Sequence, residues 1–303
     1  MSETFRPEGL LVPLITPFDS AGEVDQVALE RLADGVLATG AAGVVALATT
    51  GEATSLDEVE RETVLSICAQ VCADHEAVLV VGAGTNDTRT TIKRHEALSA
   101  VPGVRASLAV VPYYVRPSET AIVRHFQAVA ARSPVPLIVY NIPYRTGRGL
   151  GSAALLELAD TENVVGLKQA VGGIDIDTLE VLSRAPARFC VLAGDDAFLY
   201  PLVLMGAAGA IAASANLATE RFSEMLDDAL AGRVAEGRRH AAALLPLVLA
   251  LFSEPSPAVI KAVLHAEGLI ATPHMRMPLS DASFAATRRA LLALKALPSR
   301  VSR

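Results

Sequence analysis

Short apolar runs recur along the chain, and segments in which apolar residues have helical spacing lie between them. Continuous apolar runs are typical of strands that are buried on both faces of a parallel sheet. In the segment 25–39, apolar residues stand at positions 28, 29, 32, 36 and 37, which places them on one face of a helix. The pattern predicts eight strands, within 10–16, 43–50, 77–84, 106–114, 136–143, 164–170, 188–196 and 209–216.

The alternation of eight strands with helices predicts an α/β fold of the closed (β/α)8 type, the TIM barrel. After the eighth run the chain has helical periodicity only, at 219–231, 234–252, 256–268 and 280–297. The last three of these helices exceed what a barrel requires, and no flexible linker precedes them. We therefore expect a barrel over 1–218 and, over 219–303, the last barrel helix and a C-terminal helical extension packed on the barrel or on another subunit.

Two of the predicted strands end in residues with reactive side chains, Tyr140 and Lys168. Neighbouring parallel strands bring their carboxyl ends to one edge of the sheet, where α/β proteins bind their ligands. A buried lysine favours the neutral amine, which can form a Schiff base with a carbonyl substrate while a nearby phenol moves protons. The alternative is a lysine whose stem lies along the strand and whose ammonium group reaches solvent.

Hydroxyls dominate the remaining strand ends. Thr49, Thr50 and Gly51 can offer hydroxyl and backbone N–H groups to a carboxylate, or they can simply cap the next helix. Arg145, in a loop bounded by proline and glycine, can clamp a second carboxylate or lie free on the surface. The pair Asp195–Asp196 has no further ligand cluster near it in sequence, so we expect hydrogen-bonding residues at the barrel rim and no metal site.

Composition narrows the possible partners. A net charge of -7 and a pI near 5.4 disfavour nucleic acid and anionic membranes, which require a concentrated basic face. No apolar run approaches the roughly 18 residues of a membrane-spanning helix, and the N-terminus has no signal pattern, so we expect a cytoplasmic protein. The three cysteines, Cys68, Cys72 and Cys190, are expected to pack in the core as free thiols, since neither disulfide nor metal spacing is present.

Five motifs in order, ATTGEATSL, VVPYYVRPSE, IVYNIPYRTG, VVGLKQA and LAGDDA, resemble those of a known family. It comprises the pyruvate-dependent class I aldolases related to dihydrodipicolinate synthase and N-acetylneuraminate lyase. The resemblance runs from about residue 10 into the C-terminal helices. The paired tyrosines before RPSE and the arginine of PYRTG are most similar to the 4-hydroxy-tetrahydrodipicolinate synthase branch.

The resemblance implies catalytic roles for four residues. Lys168 would form an imine with pyruvate, Tyr140 would pass protons to and from it, and Thr49 and Tyr114 would complete the proton relay. In the family this second tyrosine enters from a neighbouring subunit, so the resemblance implies a homo-oligomer, a dimer or a tetramer. No cofactor beyond the covalent imine on Lys168 is implied.

The resemblance also implies a substrate-binding set. Thr50, beside Gly51, would hold the carboxylate of pyruvate, and Arg145 would hold the carboxylate of the aldehyde. Gly194 and Ile211 would line the pocket through their backbones. This chain departs from the family pattern beside these positions, with Tyr144 before the arginine and Gln169 after the lysine, and these departures leave the second substrate open.

The function implied is condensation of pyruvate with L-aspartate 4-semialdehyde, which gives 4-hydroxy-tetrahydrodipicolinate for lysine and diaminopimelate synthesis. A sister hypothesis keeps the imine but acts on a sugar acid, such as a 2-keto-3-deoxy acid or a sialic acid. A third is a catalytically silent pyruvate-binding homologue, which the presence of both the lysine and the tyrosine disfavours. A phosphate-sugar barrel enzyme is disfavoured too, because the last two strand ends lack a glycine-rich phosphate cradle.

Overall fold

The structure, a computed structural model, describes residues 5–298. Eight parallel strands pair in chain order, and the eighth pairs with the first to close the barrel. The predicted TIM barrel is therefore confirmed. The strands are Gly9–Pro13 (β1), Gly43–Ala46 (β2), Val78–Gly82 (β3), Val104–Val110 (β4), Leu137–Asn141 (β5), Val164–Gln169 (β6), Cys190–Ala193 (β7) and Gly209–Ile211 (β8).

Helices connect the strands on the outside of the barrel and continue beyond the last strand. Those up to β8 are Gln26–Ala38 (α1), Glu58–Asp74 (α2), Thr88–Ala97 (α3), Glu119–Ala130 (α4), Pro143–Thr146 (α5), Ser152–Asp160 (α6), Ile176–Arg184 (α7) and Leu199–Leu204 (α8). Those after β8 are Thr219–Leu230 (α9), Val234–Leu251 (α10), Ala258–Ala266 (α11) and Phe284–Lys295 (α12). The predicted run of C-terminal helices is thus present.

Several strands end earlier than the apolar pattern predicts. The run at 43–50 leaves the sheet after Ala46, and Thr49–Gly51 forms a 3-10 turn instead. The run at 209–216 likewise ends at Ile211 and continues as a second 3-10 turn, Ala213–Asn216. Burial extends past the last ladder hydrogen bond at both places, so hydrophobicity alone overestimates the length of the strands.

Helix capping explains where two of these helices begin. Asp25 accepts a hydrogen bond from Ala28 N at the start of α1. Of the two residues that could cap the next helix, Ser55 and Asp57, it is Asp57 that does so. It forms a reciprocal capping box with Glu60, which satisfies two backbone donors at once.

The apolar interior has two parts that bear on the site. One fills the barrel, with inward-facing side chains that include Leu11, Val45, Val80, Leu108, Ile138, Tyr140, Leu192 and Ile211. The other joins the C-terminal helices to the barrel wall. There Leu251, Val259 and Val263 pack with Ile15 and Leu32 in one buried cluster. The C-terminal helices are therefore packed on the barrel by apolar contact.

Candidate active site

Tyr140 and Lys168 are direct neighbours at the carboxyl ends of β5 and β6. They are partners in the register of the two parallel strands, so both side chains point to the barrel interior. Lys168 Nζ lies 4.3 Å from the centroid of the Tyr140 ring. Both residues are buried, with 6% of each exposed. The sequence prediction that this pair meets at the mouth of the barrel is therefore confirmed.

Burial lowers the pKa of Lys168 to about 8. The carboxylates of Asp196 and Asp195 oppose this shift, while the charge of Arg145 adds to it. Burial disfavours an ammonium ion because the interior solvates charge less well than water does. A substantial fraction of the amine is consequently neutral near physiological pH, as a nucleophilic lysine requires.

Gly194 makes room for the lysine side chain. Its N–H donates to Gln169 O at 2.8 Å, which holds its backbone against β6. A Cβ atom at this position would lie 2.9 Å from Lys168 Cγ and 3.0 Å from Lys168 Cε. Any larger residue would therefore displace the Lys168 chain.

The two aspartates after β7 are fixed by backbone donors on neighbouring loops. Asp195 Oδ2 accepts from Gly172 N at 2.6 Å, and Asp196 Oδ2 accepts from Ser214 N at 2.5 Å. Burial raises the pKa of both carboxyls. They are the rim hydrogen-bonding residues expected from sequence. Their carboxylates are also the groups that raise the pKa of Lys168.

Tyr140 lies in an environment that keeps its phenol protonated. Burial raises the pKa of the Tyr140 hydroxyl well above its ordinary value, and Tyr144 and the two aspartates raise it further. Only Arg145 acts in the opposite direction. A protonated phenol beside a partly neutral amine can donate a proton to an oxygen that leaves or that becomes charged.

A cavity of about 690 Å³ opens beside this pair. Its wall includes three of the predicted site residues, Thr49, Tyr140 and Arg145, together with Tyr113. Lys168 is not among the lining residues, and its Nζ contacts the Tyr140 ring that forms part of the wall. The volume is sufficient for two small substrates at once.

The turn after β2 carries the predicted carboxylate-binding residues. Thr50 and Gly51 are buried, whereas Thr49 is exposed to the cavity. Gly51 N–H donates to Ala48 O at 3.1 Å and is therefore engaged within the turn. Thr16 Oγ1 donates to Gly51 O at 2.7 Å, so the segment after β1 holds the turn from the other side. Of the three residues Thr49, Thr50 and Gly51, Thr49 is the one that lines the cavity.

The loops after β4 and β5 are joined to each other. Arg116 Nε donates to Gly147 O at 2.9 Å, which ties the loop that carries Tyr114 to the loop that carries Arg145. Arg145 is exposed, and its guanidinium carbon lies 5.5 Å from the centroid of the Tyr144 ring. Tyr114 is 87% exposed, has a left-handed backbone with φ 70°, and is not among the residues that line this chain's cavity.

Gln169 does not face the site, although it follows Lys168 directly. Successive side chains of a strand alternate between faces, so Gln169 points out of the barrel. Its side chain accepts from Asn141 Nδ2 at 2.9 Å and donates to Thr178 Oγ1 at 2.8 Å. The departure at this position therefore affects how β5, β6 and α7 are joined. Its bearing on the second substrate stays a prediction.

Ile211 is fully buried and packs in the same barrel cluster as Tyr140. Cys68, Cys72 and Cys190 are buried free thiols, as expected. Within residues 5–298, no group of three or more His, Cys, Asp or Glu side chains is arranged to hold a metal ion. In the same part of the chain, no helix combines the length and the apolar character needed to cross a membrane.

Sequence reasoning missed one group of residues next to the site. Glu52, which follows the Thr49–Gly51 turn, is buried and pairs with Lys261 of α11 at 2.8 Å. Its other carboxylate oxygen accepts from Arg276 N at 2.9 Å. The only signal in the sequence is that Glu52 belongs to the ATTGEATSL motif and Lys261 to a helix that is otherwise almost wholly apolar.

The fold and the site together define a (β/α)8-barrel enzyme equipped for Schiff-base chemistry on a lysine. Comparison with known proteins makes the assignment more specific. The model of the dihydrodipicolinate synthetase family matches residues 6–296, and the chain belongs to this family.

Relatives and solved structures agree with this assignment. The chain is 37% identical over 289 residues to the 4-hydroxy-tetrahydrodipicolinate synthase of Neisseria meningitidis serogroup C, which covers 95% of this chain and 98% of that protein. It is 38% identical over 276 residues to the synthase of that name from Porphyromonas gingivalis, covering 91% and 92%. The chloride-inhibited dihydrodipicolinate synthase of Acinetobacter baumannii in complex with pyruvate superposes with a TM-score of 0.92 at 32% identity, covering 96% and 98%.

Proposed function

We propose that this protein condenses pyruvate with L-aspartate 4-semialdehyde to give 4-hydroxy-tetrahydrodipicolinate, through an imine on Lys168. The observation that carries the proposal is the buried Lys168–Tyr140 pair, in which the amine has a pKa of about 8 beside a protonated phenol. The names of the relatives support the choice of reaction, since they are 4-hydroxy-tetrahydrodipicolinate synthases.

The chemistry follows from the states of the two side chains. The neutral amine of Lys168 attacks the ketone of pyruvate, and Tyr140 supplies a proton as the oxygen leaves as water. Loss of a methyl proton from the imine gives an enamine, whose carbon attacks the aldehyde. The amino group of the second substrate then displaces Lys168 as the ring closes. No step needs a metal or an organic cofactor, because the imine itself accepts the electron pair.

Substrate positions follow from the polar groups around the cavity. Thr49 and Thr50 would bind the pyruvate carboxylate, and Gly51 would complete the turn that carries them. Gly194 and Ile211 would form the wall of the pocket beside Lys168. Arg145, at the open side of the cavity, would bind the carboxylate of the aldehyde through its paired N–H groups. Such a pocket selects for two short carboxylic acids.

Tyr114 would complete the proton relay of a neighbouring subunit together with Thr49 and Tyr140. Its 87% exposure and left-handed backbone, next to the exposed Val115, support a role outside its own chain. We therefore propose a homo-oligomer, a dimer or a tetramer, located in the cytoplasm, in which 219–303 is packed on the barrel of 1–218. A solved relative described as a monomeric dihydrodipicolinate synthase variant, with a TM-score of 0.91, shows that the family also includes a monomer.

A coupled assay with pyruvate and L-aspartate 4-semialdehyde tests the reaction. We expect turnover with this aldehyde and none with a panel of sugar aldehydes that lack a carboxylate. Turnover of 2-keto-3-deoxy acids or of sialic acid, without turnover of aspartate semialdehyde, would replace the proposal by the sugar-acid alternative.

Replacing Arg145 tests the position of the aldehyde. Arg145→Ala should raise KM for the aldehyde by about 10-fold or more, since a charge-assisted hydrogen bond to a carboxylate is lost, and KM for pyruvate should stay within about twofold. Arg288→Ala, which removes an exposed arginine on α12, is the matched control and should leave both constants unchanged. An equal rise in both KM values for Arg145→Ala would contradict the placement.

A further inference from the structure

A fully buried ion pair links the C-terminal helices to the turn after β2. Lys261 Nζ on α11 lies 2.8 Å from Glu52 Oε1, and both side chains have 0% of their surface exposed. The two residues are 209 positions apart in the chain. Taking two charges out of water costs several kcal/mol per ion unless further hydrogen bonds compensate, so such a pair is uncommon without a specific use.

The segment after α11 supplies the additional contacts. Arg276 N donates to Glu52 Oε2 at 2.9 Å, so both carboxylate oxygens of Glu52 are occupied. The Arg276 guanidinium donates to Ser55 O and to Gly22 O, each at 2.8 Å, and pairs with Glu60. The segment is therefore attached to both sides of the turn that contains Glu52.

One aromatic ring completes the arrangement. Lys261 Nζ lies 4.1 Å and the Arg276 guanidinium carbon 4.3 Å from the centroid of the Phe18 ring. Cations over an aromatic ring are attracted by its negative faces, which reduces the cost of burying them. Phe18 is itself buried, and it belongs to the segment after β1 in which Thr16 donates to Gly51 O.

The backbone of Glu52 ends the Thr49–Gly51 turn. Its N–H donates to Thr49 O at 3.1 Å, and its φ of 51° lies in the left-handed region. A residue other than glycine costs free energy in that conformation, which persists only where surrounding contacts enforce it. Besides its backbone hydrogen bonds in the turn, Glu52 has contacts of its carboxylate with Lys261 and Arg276 that can hold this conformation.

We propose that Lys261 and Arg276 are positioning residues for the Thr49–Gly51 turn, acting through Glu52, so that the C-terminal helices set the geometry of the proposed carboxylate site. The inference rests on the proposed function only for the identity of the ligand, pyruvate. Because Thr50 and Thr49 stand two and three residues before Glu52, a change in its anchoring would move their hydroxyls relative to Lys168. Binding of the pyruvate carboxylate would weaken, while Arg145 on another loop would be unaffected.

The test compares Lys261→Met and Glu52→Gln with a matched control. The control is Arg233→Met, which breaks the Arg233–Asp228 pair at 2.7 Å between α9 and α10, where Asp228 is likewise buried. For the two test variants we expect KM for pyruvate to rise by about 10-fold or more, because small misplacements of positioned groups are costly. KM for the aldehyde should stay within about twofold. Arg233→Met should change neither constant.

A second measurement does not depend on turnover. Amide hydrogen exchange of residues 48–53 in the ligand-free protein should be faster in Glu52→Gln and Lys261→Met than in wild type, with no such change in Arg233→Met. If Lys261→Met does not fold, the double variant Lys261→Met/Glu52→Gln, which buries no unpaired charge, takes its place. Arg276→Ala, at the partly exposed edge of the cluster, should show the same two effects at smaller size.

The outcomes separate the inference from the proposed function. Loss of kcat with an unchanged KM for pyruvate and unchanged exchange at 48–53 would mean a purely structural ion pair and would overturn the inference. If wild-type protein forms no adduct with pyruvate, the proposed function fails. The exchange data alone then decide whether Lys261 and Arg276 position the turn.

Discussion

Two lysines are buried in this molecule, and they differ in what lies opposite the ammonium group. Lys261 faces a carboxylate at 2.8 Å, and this partner opposes the lowering of the lysine pKa that burial causes. Lys168 has no carboxylate within ion-pair distance in residues 5–298, and its pKa falls to about 8. Its ammonium group lies over the face of the Tyr140 ring, 4.3 Å from the ring centroid.

The difference shows that burial alone does not make a lysine reactive. Burial lowers the pKa of both lysines, but at Lys261 the Glu52 carboxylate opposes the shift and favours the charged form, which holds Glu52 in place. Lys168, with no carboxylate of residues 5–298 within ion-pair distance, can act as a neutral nucleophile. Lys168 stands at the open end of the barrel beside a cavity, and Lys261 lies in the apolar contact between α11 and the barrel. The same substitution should therefore abolish turnover without loss of stability at Lys168, whereas at Lys261 it should lower stability and raise KM for pyruvate.

Lys168→Met is expected to have the largest effect. Without the amine no imine can form, so kcat should fall by about 10⁴-fold or more. The free energy of unfolding should stay equal or rise, because a poorly solvated amine is replaced by an apolar chain of similar length. Lys93→Met, at an exposed lysine on α3, should leave kcat unchanged. If Lys168→Met turned over substrate near the wild-type rate, Lys168 would not be the nucleophile, and the proposed difference between the two lysines would be wrong.

Lys261→Met should act chiefly on stability. It leaves the Glu52 carboxylate buried opposite an apolar chain, which costs about 3–5 kcal/mol of unfolding free energy. Urea titration followed by circular dichroism measures this loss. Restoring most of the lost stability with the double variant Lys261→Met/Glu52→Gln would confirm that the unpaired charge is its cause, and no recovery would argue against it.

Tyr140→Phe tests whether the hydroxyl beside Lys168 donates a proton during the reaction. Loss of the proton donor should lower kcat by about 10²-fold or more, with the fold intact. Tyr200→Phe is the matched control: its hydroxyl donates to Val234 O at 2.6 Å, away from the barrel mouth, and its kcat should equal that of wild type. Equal kcat values for the two variants would remove Tyr140 from the proton relay.

The smallest expected effect is a change in how the rate of imine formation depends on pH. Because the neutral amine reacts, kcat/KM for pyruvate should rise about tenfold per pH unit up to pH 8 and level off above it. An ordinary lysine would level off above pH 10. Asp196 raises the pKa of Lys168, so Asp196→Asn should move the rising limb to lower pH. A shift to higher pH would contradict the assigned electrostatics.

Much of this arrangement could be predicted from local sequence. The alternation of apolar runs with helical periodicity indicates eight parallel units, and chain neighbours in a barrel are spatial neighbours, so Tyr140 and Lys168 had to meet. The catalytic roles of Lys168, Tyr140, Thr49 and Tyr114 and the binding roles of Thr50, Gly51, Arg145, Gly194 and Ile211 stay predictions.

The remaining features could not be predicted, for physical reasons. The Glu52–Lys261 pair depends on where the C-terminal helices return to the barrel, and no periodicity encodes a contact over 209 positions. The outward orientation of Gln169 follows from strand alternation, but only once the register of Lys168 is known. The ends of β2 and β8 depend on hydrogen bonds, which an apolar pattern does not report.

Reductive trapping with pyruvate and borohydride tests the central claim most directly. Reduction fixes an imine as a stable secondary amine, which peptide mass spectrometry locates on a single residue. We predict one reduced pyruvyl group on Lys168 and none on Lys261 or Lys93. An unmodified Lys168 after full reduction, or a group on any other lysine, would contradict the assignment of Lys168 as the nucleophile.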